Sequence, residues 1–157
     1  MWFLSIASDN GKAVMEPFFY KSSIIPDGFV FPHSYESVVM SGSWPQIEPW
    51  APLAMDMPSS LFYYGAMLLK FRKAPLIPFS IIRDESGFYN SGYVVLACFD
   101  GCELTGEPTV RIYDYGKPKV SPWNNVSYPS FLVWLEAAKM ESELYRAQQG
   151  GRELKND

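Results

Sequence analysis

The clearest pattern in the chain lies near its C-terminus. Phe131, Trp134, Leu135, Ala138 and Tyr145 recur at helical spacing, with Glu136, Lys139, Glu143 and Arg146 largely off that face. Ser127 or Ser130 is a candidate cap, and Gly150-Gly151 is the predicted stop, leaving 149–157 as a frayed tail. Residues 76–115 read instead as sheet. Leu76–Ile82 is a predicted strand, followed by a polar turn over Arg83–Gly92. Tyr93–Phe99 is a nearly continuous apolar run, the pattern of a strand covered on both faces. Residues 109–115 alternate, with Val110 and Ile112 on one side and Thr109, Arg111, Tyr113 and Tyr115 on the other. That predicts a half-exposed strand.

The N-terminal half is punctuated by proline. A short strand over 2–7 is closed by the turn signal Asp9-Asn10-Gly11. Seven prolines between Glu16 and Pro58 leave no room for a long helix or a central strand, because each removes a backbone donor. One short helix fits at 33–40, with Pro32 near its start and Gly42 past its end. Ser59 and Ser60 are candidate caps for a second helix running to Lys73. Leu61, Tyr64, Leu68 and Phe71 form its apolar stripe, widened by Tyr63 and Met67.

Composition narrows the class. In 157 residues, 48% are apolar and 17% aromatic, enough for one packed core over 1–148 and against disorder. A net charge of −4 with no basic stripe argues against nucleic acid as a partner. No run approaches a membrane span, and the opening Met1–Ala7 lacks the basic residues and length of a signal peptide. Two cysteines make no disulfide scaffold, so the expected compartment is the cytoplasm.

The chemistry expected of an enzyme is missing from the pattern. The single histidine, His33, has no evident nucleophile or metal partner and reads as a cap or surface residue. One histidine and two cysteines fall short of a four-ligand zinc site. Cys98 and Cys102 are spaced too far for a C-x-x-C redox pair; Cys98 reads as a core residue. There is no phosphate-binding glycine loop and no nucleophile elbow. No enzyme, cofactor or metal is expected.

Two features suit recognition. Trp44-Pro45-Gln46-Ile47-Glu48-Pro49-Trp50 sets two tryptophans on a proline-stiffened loop, either as interface anchors or as a loop-borne part of the core. The loop Asp100–Pro108 carries Asp100, Glu103 and Glu107. With Asp84 and Glu85 it would form a negative patch, the alternative being a solvated connector.

The collinear series Ile25-Pro26, Phe31-Pro32, Pro49-Trp50, Leu76-Ile77-Pro78-Phe79, Ala97-Cys98-Phe99-Asp100, Gly106-Glu107-Pro108-Thr109-Val110 and Phe131-Leu132-Val133-Trp134-Leu135 resembles the SUKH superfamily. These are bacterial toxin-immunity proteins, to which the yeast cell-wall-synthesis regulators also belong. The resemblance spans about Ile25 to Ala138, and the longer turns at Arg83–Gly92 and Tyr115–Trp123 depart from it. It implies an α+β fold: a largely antiparallel mixed sheet, flanking helices and a C-terminal amphipathic helix. It also implies an immunity protein whose partner is a cognate secreted toxin domain, a nuclease or deaminase. The alternative is an intracellular scaffold or adaptor for a host protein. Neither reading fixes the oligomeric state.

Overall fold

The computed structural model describes residues 4–6, 13–21 and 23–155. Its centre is a five-stranded antiparallel sheet in the order β3-β4-β5-β6-β7: Trp50–Pro52, Leu76–Ile82, Val95–Asp100, Val110–Asp114 and Ser127–Tyr128. A separate hairpin pairs β1 (Leu4–Ile6), within the strand expected over 2–7, with β2 (Ala13–Met15), a strand the sequence pattern did not predict. The predicted turn Asp9-Asn10-Gly11 lies outside the described residues. Three helices complete the α+β fold: α1 (His33–Met40), α2 (Met57–Lys70) and α3 (Phe131–Lys155). Among the described residues no helix is long and apolar enough to cross a membrane.

The central strands are buried throughout, which explains their continuous apolar runs. Along β5 the two faces alternate. Val95, Ala97 and Phe99 join one core cluster, and Leu96 and Cys98 join the other. In β4 a register shift between Pro78 and Ser80 resets the alternation, so that Ile77, Phe79 and Ile82 share the first face. There Phe79 stacks on Phe99 at 4.1 Å, and Trp134 of α3 meets Phe79 edge-on at 4.9 Å. Tyr35 of α1 closes on Phe99 at 5.2 Å. Phe131, Leu135 and Ala138 seat α3 on this same face, as its periodicity predicts.

The second face carries α2, with Met67 fully buried against Leu76, Ile81, Leu96, Cys98 and Tyr113. Burial raises the pKa of the Cys98 thiol well above its ordinary value, so it stays protonated as a core residue. Tyr113 is buried rather than half-exposed, because α2 and Phe71 cover the side of β6 expected to face solvent. The α2 stripe is also rotated from its predicted setting. Ser60, Tyr64 and Met67 point inward, while Leu61 and Leu68 are exposed. A buried hydroxyl fixes that rotation: Ser60 donates to the Leu53 carbonyl at 2.6 Å, and Tyr64 donates to the Ile24 carbonyl at 2.9 Å. The helix cap is Asp56, which accepts from the Ser59 amide at 3.0 Å, in place of Ser59 or Ser60.

At the other end of the chain, α3 continues through Gly150-Gly151 to Lys155 instead of stopping there. A glycine ends a helix when it turns left-handed, and neither of these does. Within a helix it costs only about 1 kcal/mol relative to alanine.

Candidate functional site

The acidic patch expected from the sequence does not assemble. Asp84 and Glu85 follow β4, whereas Asp100 ends β5 and Glu103 and Glu107 follow it, and the two strands are antiparallel with Ile82 opposite Val95 and Leu76 opposite Asp100. The two loops therefore leave opposite ends of the sheet, about 17 Å apart along β5. Most of these carboxylates are also engaged. Asp100 is 4% exposed, pairs with Arg111 at 2.8 Å and accepts from the Cys102 amide at 2.9 Å. Glu103 accepts from the Thr109 amide and hydroxyl across its own loop. Asp84 accepts from the amides of Ser86 and Tyr89. Glu85 and Glu107 are exposed.

The tryptophan loop belongs to the core. Trp50 is 5% exposed, packs on Trp134 at 5.4 Å and donates from its indole nitrogen to Glu141 Oε2 at 2.9 Å. Trp44 is half-buried, 6.4 Å from Trp134, with its indole N–H lacking a partner among the described residues. Of the two readings for this loop, the structure selects packing.

Glu141 stands in a cleft of about 320 Å3 between α3 and the sheet, with Asp114, Tyr128 and Lys117. Besides Trp50 it accepts from the Tyr89 hydroxyl. Asp114 accepts from Asn90 Nδ2 and the Gly116 amide, both at 2.8 Å. Burial, then the bond to Glu141, then the charges of Glu141 and Asp114 push the Tyr89 phenol well above its ordinary pKa. With each carboxylate held by two fixed protein donors, this network ties the 83–94 loop to α3 and β6.

A different surface lies across the sheet, along α2. Phe62, Leu69 and Lys70 recur at i, i+7 and i+8 on the exposed side of the helix, with Ala66 between them half-buried against the second core cluster. Phe62 is 68% and Leu69 72% exposed. Beside Phe62 a groove of about 470 Å3 is lined by Tyr63, Tyr93, Val94 and Tyr115. Tyr93 is placed there by the turn Asn90–Gly92, in which Asn90 and Ser91 are left-handed. Gly116 leaves room for it: a Cβ there would sit 3.3 Å from the Tyr93 side chain. A second groove of about 430 Å3 shares Lys70 with the first and runs on past Phe71, Arg72 and Lys73 to Trp123.

The two grooves are joined by a ladder of six rings. Consecutive centroids are separated by 5.0 Å (Phe62–Tyr63), 6.1 Å (Tyr63–Tyr115), 4.8 Å (Tyr115–Tyr113), 5.8 Å (Tyr113–Phe71) and 5.3 Å (Phe71–Trp123). Three cations stand over it: Arg83 by Tyr63 at 6.0 Å, Lys70 by Tyr113 at 5.6 Å and Arg111 by Trp123 at 5.5 Å. Burial, followed by the neighbouring Tyr113, pushes the Tyr115 phenol up to about 12, so it remains a neutral hydrogen-bonding group. Rings already braced by one another offer large contact area at little further entropic cost.

Sequence reasoning missed this surface. Its one legible signal is an α2 segment apolar on more sides than a single core contact needs, with no carboxylate in it. Fold and surface define an α+β protein with a five-stranded antiparallel sheet, helices on both faces and a half-open aromatic ladder. Comparison with family models, curated proteins and solved structures finds no match for the chain.

Proposed function

We propose that this protein binds another protein through the α2 face, and that it acts as an immunity protein neutralising a cognate toxin domain. The observation that carries the binding reading is the exposed apolar surface at the Phe62 end of the ring ladder: Phe62 itself, with Leu69 and Tyr93 beside it, on a helix-and-sheet frame. Contiguous exposed apolar surface of this kind marks interaction sites, and aromatic anchors in preformed grooves dominate binding energy. The resemblance to the SUKH superfamily supplies the immunity half of the reading. Neutralising a lethal enzyme calls for nanomolar affinity, on the order of −12 kcal/mol.

Co-expression with the product of the adjacent reading frame, scored by growth with and without this protein, tests this directly. The native protein restores growth. The double variant Phe62→Ala, Tyr93→Ala, at exposed positions, weakens binding at least about 30-fold, the loss of one strong anchor, and growth fails. Full protection and unchanged affinity in that variant would reject the α2 face.

A further inference from the structure

The partner's contacting element has a chemistry that this face specifies. We propose that it is a short acidic segment bearing an aromatic or aliphatic anchor side chain; this rests on the α2 face being the binding surface. Residues 57–83 contain Lys70, Arg72, Lys73 and Arg83 and no carboxylate, in a chain of net charge −4. No Asp or Glu lines either groove. Lys70, Arg72, Lys73 and Arg83 make no salt bridge among the described residues, where the ion pairs are Arg111–Asp100 and Lys139–Glu136. All four are exposed. Beside the grooves, Lys70, Arg72 and Lys73 therefore concentrate positive charge with no carboxylate paired to it, while Arg83, past the other end of β4, neighbours Asp56 and donates to the Ser59 hydroxyl. Anionic groups are attracted to the charge beside the grooves and cationic ones repelled.

The grooves set the rest of the description. Between Phe62 and Phe71 the helix axis covers about 14 Å, the reach of about four or five extended residues. One large apolar side chain fits the Phe62–Tyr93–Tyr115 groove, leaving flanking carboxylates within reach of Lys70, Arg72 and Lys73. Nucleic acid fits less well. Bases stack on parallel faces, whereas successive rings of the ladder lie 90°, 68°, 90°, 73° and 70° apart and offer edges and faces alternately.

The test is selection of a random twelve-residue peptide library on three immobilised proteins: native, Phe62→Ala/Tyr93→Ala, and Lys70→Glu/Lys73→Glu. A dT12 oligonucleotide is titrated in parallel. The native protein is expected to enrich peptides with Asp or Glu flanking Trp, Phe or Leu. Their affinity falls at least about tenfold in the ring variant and in the charge-reversed variant, and about tenfold between 50 and 500 mM salt. Enrichment of neutral or basic peptides that depends on Phe62 and Tyr93 but not on Lys70 and Lys73 overturns the acidic assignment and leaves the α2 face standing. Peptides indifferent to Phe62 and Tyr93, or no enrichment, sink the face itself. Binding of dT12 abolished by Lys70→Glu/Lys73→Glu replaces the acidic segment with nucleic acid.

Discussion

A single carboxylate shows how burial changes the meaning of a charge. In the sequence Asp100 heads an acidic loop. In the fold it is closed off from solvent, holding Arg111 of β6 and the Cys102 amide. The turn beside it leaves no slack, since a Cβ on Gly101 would come within 2.6 Å of the Pro75 carbonyl oxygen. Asp100→Ala strands a partly buried guanidinium and is expected to cost about 1.5–3 kcal/mol. In urea this reads as a lower midpoint with an unchanged slope. Glu107→Lys, at an exposed site in the same loop, should stay within about 0.5 kcal/mol of the native protein. Equal effects from the two would mean that the Asp100–Arg111 pair contributes nothing. Loop membership and charge were legible in the chain. The partner was not, because Arg111 becomes a neighbour only when β5 and β6 pair.

At the scale of elements, propensity located the helices and tertiary contacts set their rotation. Apolar spacing in α2 was compatible with several inward faces; the Ser60 and Tyr64 hydroxyl bonds choose one and turn Phe62 and Leu69 outward. Its start is set locally by Asp56, with Pro58 in the first turn. Asp56→Ala is expected to cost about 0.5–2 kcal/mol, while Ser59→Ala, which leaves the backbone N–H of the cap bond in place, costs less. Thermal unfolding of the two variants checks the order, and the reverse order would make Ser59 the cap. The amide of Ser59, burial and the neighbouring Arg83 act together on Asp56, with the net effect of lowering its pKa. The stability this contributes is therefore present above the ordinary carboxylate range and is lost as the pH falls through the lowered value.

For the whole molecule, the density of buried phenols predicts the alkaline limit of the fold. Burial raises the pKa of Tyr20, Tyr35, Tyr89 and Tyr115, the last to about 12. A raised folded-state value means that the native state holds the proton more tightly than the unfolded chain. That contribution is complete below pH 10 and is lost as the pH climbs through each raised value, about 12 for Tyr115 and higher for Tyr35 and Tyr89. Absorbance at 295 nm followed together with circular dichroism should show exposed tyrosines ionising first, and the buried group only as the structure melts. Ionisation of all ten tyrosines along one curve near pH 10, with the fold intact, would contradict the packing described.

The chain alone determined the class of fold, the strands at 76–82 and around 95–114, and the face of α3 that meets the sheet. Those features follow from local periodicity, which the burial of one side imposes on the residues themselves. Where charges and rings converge was decided by the tertiary structure. The antiparallel turn of β4 into β5 sends the two acidic loops to opposite ends. The rotation of α2 beside Tyr93 and Tyr115 joins rings more than fifty residues apart in sequence into one ladder. Period and propensity are properties of neighbours along the backbone. A binding face is a sum over residues that only folding brings into contact.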